Sequence, residues 1–96
     1  MTFKTAIITG AASGIGKHWA ATLLKQGGYQ LVLADVNEQG LSEAFTPSES
    51  LRLHTLDIRS AEHWQHVVDD TLQHFGCIDY LFNIAGANRP LFLRDQ

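Results

Sequence analysis

Three glycines, Gly10, Gly14 and Gly16, with Thr9 before them and Ser13 among them, have the spacing to hold an anion. They follow an apolar run, Thr5-Ala6-Ile7-Ile8, and lead into Lys17-His18-Trp19-Ala20-Ala21-Thr22-Leu23-Leu24. The run reads as a buried strand and the segment after the glycines as a helix. The opening turn of such a helix has N–H groups without intrahelical partners and a partial positive charge, so a phosphate is stabilised there. Glycines let that backbone approach a diphosphate with no Cβ in the way. The spacing Gly-x-x-x-Gly-x-Gly is not the common Gly-x-Gly-x-x-Gly fingerprint, and no Gly-Lys-Ser/Thr follows to make a P-loop. A plain tight turn is the alternative; the strand before and the helix after argue against it.

Asp35 closes the second apolar run, Tyr29-Gln30-Leu31-Val32-Leu33-Ala34. A carboxylate there can accept both hydroxyl hydrogens of an adenosine ribose, and it repels a 2′-phosphate. No Arg or Lys occupies positions 11–13 or the two positions after Asp35, where such a phosphate would need a partner. The pattern therefore favours NAD over NADP. The bland reading of Asp35 is the start of a turn.

These residues need a scaffold, and the chain alternates strand and helix three times. Strands are expected at about 4–9, 29–34, 51–56 and 78–83, and helices at about 14–26, 38–45 and from Ser60 to Phe75. Gly27-Gly28 and Gly76 are stop signals, while Asn37 and Ser60 are candidate N-caps. Trp64, Val67, Val68, Thr71, Leu72 and Phe75 recur at helical spacing on one face of the last helix. Alternation in Leu51–Thr55 suggests a strand near a sheet edge. Strands separated by helices pair in parallel through right-handed crossovers, which gives a doubly wound α/β sheet of order 3-2-1-4. A ligand then sits outside the carboxyl ends of the strands.

Bulk properties exclude other classes. The chain has 96 residues, 45% hydrophobic and 18% charged, which allows one domain at most. A formal charge of −3 with scattered Lys and Arg argues against a nucleic-acid surface. The N-terminal apolar stretch is too short for a signal peptide or a membrane span. The single cysteine, Cys77, fits a reducing cytoplasm and reads as a small residue before a strand.

At this point the sequence resembles a known family. Thr9-Gly10-Ala11-Ala12-Ser13-Gly14-Ile15-Gly16 is similar to the Thr-Gly-x-x-x-Gly-x-Gly signature of the short-chain dehydrogenase/reductase family. The match continues through Asp35, Leu56-Asp57-Ile58 and Asn83-Ile84-Ala85-Gly86. The resemblance implies a Rossmann-type sheet, of which this is the N-terminal half. It implies that backbone around Ser13, Gly14, Ile15 and Gly16 receives a pyrophosphate, that Asp35 takes the adenosine ribose, and that Asp57 accepts from the adenine amino group. The Ile58 N–H would face the adenine ring, while Asn83, Ala85 and Gly86 would line the adenosine side. Residues 1–86 would form the dinucleotide-binding unit, and 87–96 the start of a catalytic half. One departure stands out: the family usually writes Asn-Asn-Ala-Gly where this chain has Ile84 second, which removes one side-chain hydrogen bond. A small alcohol or ketone substrate and a homo-oligomeric assembly are further implications.

The family's chemistry moves a hydride to or from nicotinamide, with a tyrosine as acid or base and a lysine four residues later. An unassisted tyrosine, of pKa about 10, stays protonated at neutral pH, so oxidation needs that lysine. Four residues past Tyr29 is Leu33, and four past Tyr80 is Ile84. Neither is the pair, so no catalytic residue is assigned and the chain alone is expected to be inactive. The expectation is an oxidoreductase seen through its cofactor half, with Tyr80, Leu81 and Phe82 left on an exposed strand edge. Two alternatives stand beside it. One is a nucleotide-binding module without catalysis, and the other is a methyltransferase-like nucleotide sheet, which Thr9 and Asn83–Gly86 count against.

Five histidines invite a metal site, since His66, Asp70 and His74 share one helix side with His63 nearby. A solvated polar face explains them, so no metal is assigned and Asp69-Asp70 is read as solvated. Trp19 and Trp64 are expected to face the core.

Overall fold

The computed structural model describes residues 3–86. The elements run β1 Lys4–Thr9, α1 Gly14–Gln26, β2 Tyr29–Asp35, α2 Glu38–Ala44, β3 Leu51–Thr55, α3 Ala61–Phe75 and β4 Tyr80–Asn83, followed by a 3-10 turn over Ile84–Gly86. The four strands form one parallel sheet in the order β3-β2-β1-β4, which is the expected topology. Residues 87–96, read as the start of a further unit, lie outside the described residues.

The central strands β1 and β2 are continuously apolar and buried on both faces, while Tyr80 and Leu81 of the edge strand β4 stay exposed, as expected. Ala6 and Ile8 of β1 pack with Leu31 and Leu33 of β2 and with Ala20, Leu23 and Leu41 from α1 and α2. Ile7, Val32 and Ala34 point the other way, toward Leu56 and toward Val67 of α3. Period-two alternation thus sends neighbours in one strand to two different cores.

Four side chains depart from the expected pattern. In α1 the buried positions are Gly16, Ala20 and Leu23, so Trp19 stands at the flank of the stripe, 39% exposed, against Phe82 with ring centroids 5.9 Å apart. In α3 the fully buried places go to Val67 and Thr71, which leaves Leu72 45% exposed. The fourth strand starts at Tyr80, two residues later than its apolar pattern suggests. Thr5 N–H donates to the Asp79 carboxylate at 2.8 Å, so a side chain replaces the strand ladder there, although Asp79 N–H still donates to Thr5 O.

The fourth is Asp70, which is no solvated acid. It receives Arg52 Nε at 2.7 Å, His54 Nε2 at 2.6 Å and His74 Nδ1 at 3.1 Å, and its side chain is only 14% exposed. Arg52 and His54 project from β3 onto α3, and the cluster ties that helix to the edge strand. Burial alone would raise the Asp70 carboxyl; the hydrogen bonds from Arg52 and His54 outweigh it and hold the group down to about 2. His66 turns its ring edge to His54, with centroids 5.4 Å apart. Among the described residues, no group of three or more His, Cys, Asp or Glu is arranged to hold a metal ion.

Candidate functional site

The carboxyl ends of β1, β2 and β4 enclose a groove of about 370 Å³. Gly10, Ser13, Ile15, Asp35 and Ala85 line it, all five singled out from sequence, together with Val36 and Ile84. The two additions supply apolar wall, and Val36 and Ile15 are 63% and 68% exposed beside it. Only the position of Val36 directly after Asp35 could have signalled its place.

The glycine turn is shaped by close approach. A β-carbon on Gly16 would collide with the backbone carbonyl of Gly10, and one on Gly10 would lie 2.8 Å from Ala85 N. Gly14 opens the helix at φ +57°, a conformation costly for other residues. Ser13 is the N-cap but makes no side-chain cap bond, and no acidic side chain occupies the first turn of α1. The unpaired N–H groups of that turn and the Ser13 hydroxyl are thus left for a ligand, with no acidic side chain on the turn itself. A diphosphate fits this cradle through its backbone donors and the open space beside Gly14, with the Asp35 carboxylate elsewhere in the groove lining.

Asp35 is fixed by two backbone donors, Ala12 N–H to Oδ2 at 3.0 Å and Asn37 N–H to Oδ1 at 2.9 Å. A carboxylate offers about four acceptor directions, so each oxygen keeps one free. Asn37 also caps α2 by accepting from Gly40 N at 3.0 Å, and Ala11 N–H donates to Ala34 O at 3.2 Å. The glycine turn and the end of β2 are therefore one hydrogen-bonded unit.

Thr9 latches β4 to that unit. Its buried hydroxyl donates to Asn83 Oδ1 at 2.7 Å and accepts from Ala85 N at 3.2 Å. Asn83 consequently faces Thr9 and does not line the groove. Gly14 and Gly16 also lie outside its lining. Ile84, where the family more often has Asn, packs against the first core.

Asp57 and Ile58 follow β3 and sit beyond Asp35, with Leu56 N–H donating to Asp35 O at 3.1 Å. They are at the same edge of the sheet but outside the groove lining. Asp57 Oδ1 accepts Arg59 N and Nε at 2.9 and 3.1 Å, and Oδ2 accepts Arg59 Nη2 at 3.0 Å. The side-chain bond from Arg59 holds the Asp57 carboxyl down at about 2. One direction on Oδ2 stays open, and Arg59, 85% exposed, is held by little else. The pairing with Arg59 is invisible in the spacing of the motif.

Comparison with known proteins places this geometry. The family model for short chain dehydrogenases matches residues 4–95. The chain belongs to that family. It is 39% identical over 88 residues to the NAD-dependent glycerol dehydrogenase of Listeria innocua, covering 90% of this chain and 34% of that protein. It is 36% identical over 90 residues to secoisolariciresinol dehydrogenase of Forsythia intermedia, covering 91% and 32%. Among solved structures, the 3-ketoacyl-(acyl-carrier-protein) reductase from Brucella melitensis complexed with NADH superposes with a TM-score of 0.74 at 28% identity, covering 83% of this chain and 33% of that one. The chain spans about a third of the length of these relatives.

Proposed function

We propose that residues 1–86 hold the adenosine diphosphate end of NAD(H) for an oxidoreductase that interconverts an alcohol and a carbonyl. The α1 N-terminus with Ser13, Gly14, Ile15 and Gly16 takes the pyrophosphate. Asp35 takes the ribose hydroxyls, Asp57 and Ile58 take adenine, and Ala85 and Gly86 complete the adenosine side, with Asn83 bracing them through Thr9. Residues 87–96 then lead toward the substrate half. A small alcohol or ketone is the substrate, the working assembly is a homo-oligomer, and the compartment is the cytoplasm, as the single cysteine suggests.

The observation that carries the reading is the state of Asp35. Its two oxygens are held by Ala12 and Asn37, each keeps one acceptor direction free, and the residue lines the groove. That fits two ribose hydroxyls and repels a 2′-phosphate. When bound, the cofactor would supply the hydride for reduction of a carbonyl or accept it in oxidation of an alcohol. These 96 residues contain no tyrosine followed four positions later by lysine, so the proton transfer falls to residues outside them.

Titration of the chain with NADH and NADPH, followed by nucleotide fluorescence, tests this. NADH is expected to bind more tightly; tighter binding of NADPH would remove the role given to Asp35. Turnover by the chain alone with NAD and simple alcohols would overturn the assignment of proton transfer elsewhere.

A further inference from the structure

The first turn of α3 reaches back onto the turn that carries Asp57 and Ile58. Asp57 N–H donates to His63 Nδ1 at 2.9 Å, and Trp64 Nε1 donates to the carbonyl of Ile58 at 2.8 Å. Ser60 closes the arrangement. Its N–H donates to Asp57 O at 2.9 Å, and its hydroxyl accepts His63 N–H at 3.1 Å. Asp57, Ser60 and His63 thus form a ring of three hydrogen bonds.

We infer that His63 is a positioning residue for the adenine end of the site, and that it works only while its ring is neutral. The inference rests on the cofactor reading above for what Asp57 and Ile58 hold. A backbone N–H can only donate, so Nδ1 must present its lone pair and the ring proton must sit on Nε2. Protonation puts a second N–H against the Asp57 N–H, and the bond is lost. His63 then keeps only the bond from its main-chain N–H to the Ser60 hydroxyl, and its half-buried ring loses its tie to the turn.

The charges around the ring add to the effect. From the turn, His63 meets the Asp57 carboxylate and its partner Arg59. On α3 its neighbour is Glu62, and one turn on, His66 is directed to His54. A protonated ring competes with Arg59 for Asp57, which draws that carboxylate from the direction left open for a ligand. Acid therefore acts twice on one residue, through its backbone and through its side chain.

The interval compared runs from about pH 7.5 to about 5.5, with the ring's own protonation followed alongside. Two readouts on the 96-residue chain test the inference, the Asp57 amide by NMR and NADH affinity. In the wild-type chain the Asp57 amide proton is expected to shift upfield and exchange faster with the same midpoint as the His63 ring. NADH affinity is expected to fall about 2- to 10-fold over the interval, the range of one net hydrogen bond. His63→Asn puts an amide oxygen where Nδ1 stood and does not titrate, so both readouts are expected to lose that pH dependence. An Asp57 amide indifferent to the ring's titration overturns the inference, and so does NADH affinity that falls equally in His63→Asn. A titrating amide in a chain that binds no NADH at either pH supports the tether and overturns the cofactor reading. The wild-type titration needs no variant, so it decides the point even if His63→Asn fails to fold.

Discussion

Asp35 accepts the backbone N–H of Ala12 at 3.0 Å, so the residue at the end of β2 also fixes the glycine turn after β1. Ligand contact and loop geometry are coupled through one carboxylate. Asp35→Ala is expected to weaken NADH about 10- to 100-fold, the scale of hydrogen bonds to a charged group. It should weaken NADPH less. Asp35→Asn rescues little, because its single acceptor oxygen cannot serve both Ala12 and Asn37. Equal losses for the two nucleotides, measured by fluorescence titration, would argue for a purely structural Asp35.

The two inner glycines of the turn should answer differently to alanine. At Gly16 the new Cβ meets the fixed backbone of Gly10, which cannot yield without moving the whole turn. Gly14 faces open space and carries only the strain of φ +57°. Gly14→Ala is expected to cost about 1–2 kcal/mol, and Gly16→Ala more. Urea denaturation of both variants checks the order, and a milder Gly16→Ala would contradict the packing.

Thr9→Val keeps shape and removes the latch. Asn83 Oδ1 and Ala85 N–H would lose the shared partner that the buried Thr9 hydroxyl gives them. A loss of about 1–3 kcal/mol is expected. Thr9→Ser should recover most of it, since the hydroxyl does the bonding. Thermal melts of the three proteins compare them directly.

Acid should loosen α3 from β3. The Asp70 carboxyl is held near 2 in the folded chain, below the ordinary value of about 3.9 for an unfolded aspartate. A depressed group contributes stability that is present above the unfolded value and is lost as pH falls through the folded one. The contribution, of order 1–2 kcal/mol after allowance for screening, should fade between about pH 5 and 2. Asp70→Asn is expected to flatten that part of the stability profile. A wild-type profile of the same slope in the variant would assign the acid sensitivity to other carboxylates.

Much of this was legible in the chain because it rests on local pattern. β1 and β2 are uninterrupted apolar runs, and Ser60, Gly76 and Asn37 mark helix ends at the positions where the structure has them. The glycine turn, Asp35 and Ala85 come together at one groove because strand order alone brings their loops to the same edge. What escaped was pairing between elements. Asp70 looks like a surface acid until β3 lays Arg52 and His54 against it. Trp19 has the spacing of a core residue, but small residues at positions 16 and 20 already fill the contact with the sheet. The grip of His63 on Asp57 depends on a turn whose shape no periodicity encodes.

Thr9 and Asn83 stand 74 positions apart in the chain, yet the groove exists only when they meet. Contacts of such long sequence separation form late and slow the folding of the domains that depend on them. The glycine turn is translated first and finished last: it waits through β2, α2, β3 and α3 for β4 to dock beside β1. A ligand that selects the finished groove stabilises only the fully threaded sheet. The nucleotide is thus a late arbiter of folding, drawing the population toward molecules whose last described strand has come home.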